Sequence, residues 1–237
     1  MLNFNLWNFV SKHTYDSPEN QINLLISSIK NIKSLKNNNN ILDIGGGLVD
    51  RGSQINDLGS RTVLDIIPGF NVDVVGDAHN LPFKKDSFEI VTAFMVLEHL
   101  YNPILAIEEC QRVLKPKGLL MLTTVQYWHN HGHPNDYYRY TKEGLKYICQ
   151  NAGLRILKMW SMGGPALILF HTIELNLPPI LRKFFLVTCP IFNYFDKRLY
   201  NHGMAKGCVD SLGWSFIAQK ITSKRNASAR IVNTKIR

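Results

Sequence analysis

Ile41-Leu42-Asp43-Ile44 runs directly into Gly45-Gly46-Gly47, and this junction limits the architecture of the chain more than any other stretch. A short apolar strand ends on an acid, and the glycines permit a turn that side chains would block. The N–H groups that open the next helix are then free to meet a polar ligand. Asp43 puts negative charge where a phosphate site would avoid it, so a cationic or hydroxyl-rich ligand fits better than a pyrophosphate. Taken alone, the motif reads equally well as a tight strand-to-helix connection.

Downstream the pattern alternates. Strand-like runs fall at 41–44, 62–66, 72–76, 88–94, 118–125, 154–160 and 213–219, and helix-like runs lie between most of them, notably 103–114 and 141–151. An amphipathic helix is expected over 17–36, with Ile22, Leu25, Ile29 and Ile32 at spacings of three and four. Such alternation predicts an α/β fold with a Rossmann-like, mostly parallel seven-stranded sheet and helices on both faces. The last run, Gly213–Gln219, alternates apolar and polar residues, as an antiparallel strand near an edge would.

Charge divides the chain unevenly. Residues 1–154 are nearly neutral, with 14 Lys/Arg against 15 Asp/Glu, whereas residues 155–237 carry 13 against 3 and hold the whole +9 excess. Basic blocks suit an anionic membrane surface or nucleic acid, or a solvated tail. The segment 163–208 is rich in aliphatic and aromatic residues but is broken by Pro178-Pro179, Pro190, Glu174, Arg182 and Lys183, so no run reaches a membrane span. It reads as a pair of helices inserted before the last strand, forming a cap, a dimer surface or an interfacial pair resting on a membrane. Four scattered cysteines and no apolar leader predict a reducing, cytoplasmic setting, peripheral to the inner membrane face if the insertion docks there.

Three acids end strands. Asp43 closes the first, Asp65 the second, 22 residues on, and Asp77 follows the third. Ligands of an open parallel sheet bind beyond such strand ends, and an acid at about this offset meets ribose hydroxyls in dinucleotide folds. These acceptors suit an amino group, a ribose and an adenine, and no basic residue is offered to a phosphate. That inventory argues against NAD and ATP and for S-adenosylmethionine (SAM).

Leu42–Gly47, Leu64-Asp65, Gly76-Asp77-Ala78-His79-Asn80-Leu81-Pro82-Phe83, Asp86–Val91, Val96–Leu100 and Arg112–Gly118 together resemble the class I SAM-dependent methyltransferases, in particular the type 11 methyltransferase domain, over about residues 38–155. The resemblance implies that Asp43 and the Gly45, Gly46 and Gly47 backbone face the methionine moiety. It further implies that Asp65, beside Ile66, holds the ribose, that Asp77 and the Ala78 amide read the adenine, and that Phe94 and Met95 line the pocket near the methyl donor. Val49 stands where a further glycine is common, and Lys117 replaces a usual glycine in a turn.

A second signature, His131-Gly132-His133-Pro134-Asn135-Asp136-Tyr137-Tyr138-Arg139-Tyr140-Thr141, resembles a methyltransferase subgroup associated with polysaccharide synthesis. Thr141 reads as a helix N-cap. Asp136 and Arg139 either pair to fix the loop or belong to the acceptor-side wall, where His133 or Asp136 would take a proton from an attacking hydroxyl. His99 is the other base candidate. The alternating histidines 129, 131 and 133 read as loop residues, so no metal is expected.

The expected organisation is an N-terminal helix and linker (1–40), a SAM-binding core (41–162), an apolar helical insertion (163–212), the final core strand (213–220) and a basic tail (221–237). The expected activity is methyl transfer from SAM to a small-molecule or glycan hydroxyl, and the apolar insertion would suit a lipid-linked acceptor. Methylation of a quinone-type ring carbon and a non-catalytic SAM-binding interaction domain are the alternatives. A homodimer is compatible with the insertion; nucleic acid is the weakest partner, resting on the tail alone.

Overall fold

The computed structural model describes residues 18–29, 38–47, 53–132, 134–201 and 210–222. Helix α1 (Pro18–Ile29) leads into β1 (Asn39–Ile44), a 3-10 turn (Ser53–Leu58), β2 (Gly59–Asp65), β3 (Val74–Val75) and β4 (Phe88–Phe94). A second 3-10 turn (Leu97–His99) precedes α2 (Pro103–Val113), β5 (Leu114–Val125), α3 (Lys142–Asn151) and β6 (Leu154–Met162). Three helices follow, α4 (Pro165–Asn176), α5 (Pro179–Leu186) and α6 (Cys189–Asn201), before β7 (Gly213–Lys220) completes the sheet.

The seven strands take the order β3-β2-β1-β4-β5-β7-β6. The first five are parallel, and β7 runs antiparallel to both of its neighbours. This is the Rossmann-like, mostly parallel seven-stranded sheet expected from the alternation. Strand β7 is antiparallel and near the edge as anticipated, one place in from β6, which occupies it. Flanked on both sides, it is buried nearly throughout, its polar residues included. One of those polar residues, Ser215, donates its hydroxyl to Gln21 of α1.

Alternation along the strands builds two core layers. Ile41, Ile90, Phe94, Met121 and Ile217 face Ile22, Leu25 and Ile29 of α1. Leu42, Val91, Leu120, Leu122 and Phe216 pack on the other side with Ile107 and Cys110 of α2 and Leu145 and Cys149 of α3. Both covering helices start on the signals their sequences carry. Asn102 caps α2 by accepting from the Leu105 amide at 3.2 Å ahead of Pro103, and Thr141 caps α3 by accepting from the Gly144 amide at 3.1 Å.

The apolar insertion forms three helices rather than two, because both proline breaks interrupt it. A separate core of Leu167, Phe170, Leu186, Cys189 and Leu212 holds them together. Asp196 of α6 ties the bundle at the start of α4, where its carboxylate accepts from the Gly164, Ala166 and Leu167 amides at 2.7–3.1 Å. Those amides have no partner within their own helix, and a carboxylate is the acceptor a helix N-terminus favours. Among the described residues no helix is long and apolar enough to cross a membrane.

Candidate functional site

Strand order reverses between β1 and β4, so the crevice at their carboxyl ends is where this topology seats a ligand. Gly45 occupies it with φ +75°, a conformation costly for any residue with a Cβ, and a Cβ there would stand 2.5 Å from Val96. A Cβ on Gly47 would stand 2.9 Å from the Asp65 carboxylate. The turn thus lies tight against the strand ends on both sides. Val49, the departure noted in the sequence, lies outside the described residues.

Asp43 is buried beneath the turn. Its Oδ1 accepts from the Thr92 hydroxyl at 2.6 Å, and its Oδ2 pairs with Arg61 at 3.3 Å. Sequence reading missed Arg61, which sits on β2 beside Ile41, three pairs before the last pair of the two strands. It supplies the counter-charge for Asp43 and is thus committed to a carboxylate.

Asp65 joins two segments through one carboxylate. Oδ2 accepts the Gly47 amide and Oδ1 the Ile67 amide, each at 3.0 Å. Ile66, the next residue, is exposed beside it. Asp77 accepts twice at Oδ1, from the His79 amide at 2.9 Å and from His79 Nδ1 at 2.6 Å. The Asn102 amide donates to Nε2 of the same ring, so Nδ1 carries the proton and the imidazole is neutral. Burial works to raise the Asp77 pKa, but the bonds from His79 prevail and hold the carboxyl below its ordinary value. The Asp77 side chain is still 42% exposed and retains acceptor capacity for a ligand. Ala78 is buried beside it.

Phe94 is packed into the core layer facing α1. Met95 follows with φ 57°, in the left-handed region that non-glycine residues rarely enter, and its amide is held by the carbonyl and hydroxyl of Thr123 at 2.9 and 3.1 Å. Strain of this kind gathers where a backbone is shaped for a ligand.

The loop after β5 folds onto the turn after β4. Amides of Tyr137 and Tyr138 donate to the Glu98 carbonyl, and the buried Tyr140 hydroxyl donates to the Leu97 carbonyl at 2.9 Å. Arg139 knots the loop: its guanidinium meets both Asp136 oxygens at 2.5 and 2.6 Å and the carbonyls of Trp128 and His129. Asp136 also accepts the His131 amide at 2.9 Å. The Arg139 hydrogen bonds hold the Asp136 carboxyl well below the ordinary carboxylate range. Burial lowers the His131 pKa, which favours its neutral form.

His99 and His131 meet across this contact, with ring centroids 5.1 Å apart. His133, the third candidate base, lies outside the described residues, as does all of the basic tail beyond residue 222. Glu98, fully buried beside His99, escaped the sequence reading because its partner, the Thr124 hydroxyl at 2.8 Å, is 26 residues away.

Comparison with known proteins agrees with this layout. A family model described as a methyltransferase domain, type 11, matches residues 53–122. Demethylmenaquinone methyltransferase of Thermotoga maritima is 43% identical over 49 residues, 21% of this chain and 21% of that protein. The chain thus matches only about a fifth of the length of that relative. Among solved structures, a protein of Galdieria sulphuraria provisionally named sarcosine dimethylglycine methyltransferase superposes with a TM-score of 0.58 at 18% identity, covering 88% of this chain and 87% of that one. A Burkholderia thailandensis 1,6-didemethyltoxoflavin-N1-methyltransferase, solved with its substrate and S-adenosylhomocysteine, superposes with a TM-score of 0.56 at 11% identity, over 87% and 79% of the two chains.

Proposed function

We propose that this chain, which carries a type 11 methyltransferase domain on the Rossmann-like methyltransferase fold, transfers the methyl group of SAM to a hydroxyl of a small molecule or glycan. The observation that carries the reading is Asp65, pinned between the Gly47 and Ile67 amides at the carboxyl end of β2, beside the switch point, with Asp77 following the neighbouring β3. Such an arrangement gives acceptors for a ribose and an exocyclic amine, and the nearby Arg61 is already committed to Asp43.

The residues present fit the cofactor. The Gly45–Gly47 backbone and Asp43 would take the methionine end, Asp65 and Ile66 the ribose, Asp77 and Ala78 the adenine, and the Phe94–Met95 strand end the region of the methyl donor. When bound, SAM supplies an electrophilic methyl on a sulfonium. The protein's work is then to align the acceptor oxygen with that methyl and to exclude water, which accounts for most of the acceleration in such a displacement.

Asp136 serves by holding Arg139 and the loop, because a carboxylate of such low basicity is a poor proton acceptor. His99, on the turn that follows β4, remains the candidate to act on the acceptor hydroxyl.

The insertion supports a lipid-linked acceptor. Ile180, Leu181, Phe184 and Val187 of the α5 region are all more than half exposed, beside Arg182 and Lys183, and such a face suits an anionic bilayer surface. Methylation of a quinone ring carbon is the second reading, favoured by the Thermotoga relative.

Calorimetric titration of the full chain with SAM, followed by transfer of labelled methyl groups to fractionated lipid, glycan and quinone pools, tests the proposal. A folded chain that binds no SAM would sink it. Label in quinone alone would select the second reading, and SAM binding with no transfer would leave a non-catalytic binding domain.

A further inference from the structure

The turn after β4 and the loop after β5 bring together three side chains of the type that ligate metals. One Glu98 carboxylate oxygen and one ring nitrogen each of His99 and His131 lie within 4.8 Å of one another. We propose that Glu98, His99 and His131 bind a divalent first-row transition-metal ion. We further infer that the ion seats the acceptor hydroxyl, an assignment that rests on the hydroxyl reading above.

Both imidazoles are oriented as metal-bound histidines commonly are, with one N–H given to a carbonyl or carboxylate so that the other nitrogen keeps its lone pair. The Asn135 carbonyl lies 2.6 Å from His99 Nδ1 and can only accept, so that nitrogen carries the proton. His131 Nδ1 stands 3.2 Å from the His129 carbonyl and 3.3 Å from Asp136, both acceptors. The other nitrogen of each ring keeps a lone pair with which it can coordinate. Glu98 adds a fully buried carboxylate, a charge that needs a cation or hydrogen bonds to remain ionised, and Thr124 orients one of its oxygens.

The frame is stiff. Glu98 and His99 share one 3-10 turn, and the Arg139–Asp136 pair with the Tyr137 and Tyr138 amides locks the His131 loop onto it. Two imidazoles and a carboxylate suit zinc, manganese or iron(II) better than magnesium or calcium, and three protein ligands leave positions open for a substrate oxygen. With bonds of about 2.0–2.2 Å, ligand atoms stand roughly 3–3.5 Å apart, so closing on an ion needs side-chain shifts of about 1 Å.

A hydroxyl bound to such an ion loses its proton more readily. The oxygen then bonds to the methyl carbon as the carbon–sulfur bond breaks. The bonding pair stays on sulfur, and the hydroxyl proton goes to water.

The test is calorimetric titration of the EDTA-treated full chain with zinc and manganese chloride, without SAM. The expected result is one equivalent of tight binding, weakened 10–100-fold in His99→Ala and in His131→Ala, with SAM affinity unchanged in both. His131 lies in a surface loop, so its variant keeps the fold even if that of His99 does not. No binding of either metal, or binding that survives the His131 substitution, would overturn the proposal. Loss of SAM binding with metal binding intact would count against the methyltransferase reading alone.

Discussion

The Asp65 carboxylate accepts the Gly47 amide at 3.0 Å, so the end of β2 is fastened to the turn that leaves β1. The same carboxylate holds the Ile67 amide with its other oxygen. One side chain therefore shapes the turn and presents the acceptor that the ribose would meet.

Replacing Asp65 with Ala is expected to weaken SAM binding by about 1–3 kcal/mol, with the sheet intact. Calorimetry alongside circular dichroism measures both. Unchanged affinity would remove Asp65 from the cofactor site.

The Asp136–Arg139 pair sets a pH dependence. The folded-state pKa of Asp136 is depressed below an ordinary value of about 3.9. Its stabilisation is therefore complete above about pH 4 and is lost as pH falls through the folded value. Asp136→Asn is expected to cost about 1–3 kcal/mol at pH 7, since it removes the counter-charge of Arg139 and leaves its bonds to the Trp128 and His129 carbonyls. The gap between the two proteins should narrow below pH 4, as followed by urea denaturation. A gap independent of pH would contradict the assignment.

Lys117 sits at φ 65°, where a side chain costs about 1–2 kcal/mol and glycine adds about 0.5–1 kcal/mol of unfolded-state entropy. Lys117→Gly should raise stability by about 0.5–1 kcal/mol. A lower thermal midpoint would show that the lysine side chain holds the turn in some other way.

Burial pushes the Cys110 and Cys149 thiols up to about 12, so neither forms a thiolate near neutrality. Both should resist iodoacetamide in the native chain and label at the rate of unfolding, as read by peptide mass. Rapid native labelling at either position would mean that the α2–α3 layer opens.

The exposed face of α5 gives a prediction about surfaces. Ile180→Glu and Phe184→Glu, at sites 71% and 73% exposed, should leave stability almost unchanged and lower binding to anionic vesicles at least fivefold. Equal vesicle binding by variants and parent would separate the insertion from any membrane.

Parallel strands buried on both faces are continuous apolar runs, which is why Ile41–Ile44, Phe88–Phe94 and Leu119–Val125 could be read directly. The Thr141 cap acts within three residues and was read from the sequence; the Asn102 cap acts over the same short range but was not singled out there. The pairing of Arg61 with Asp43 and of Thr124 with Glu98 depends on strands brought side by side, and no local pattern records it. For the same reason the burial of Glu98 stayed hidden, and with it the carboxylate that lies beside the His99 and His131 pair. Alternation put strand β7 near the edge, where it lies; that β6 pairs outside it depends on tertiary pairing that no local pattern records.

That interior position matters while the chain is being made. Strand β5 ends at Val125, but the neighbour that covers its free side begins only at Gly213. At about 5–20 residues per second, a ribosome leaves that hydrogen-bonding edge bare for roughly 4–18 s. Throughout that interval the half-built sheet can pair with another nascent chain. The late strand is what closes this window, so a break in synthesis before residue 220 yields an aggregation-prone fragment with β5 uncovered.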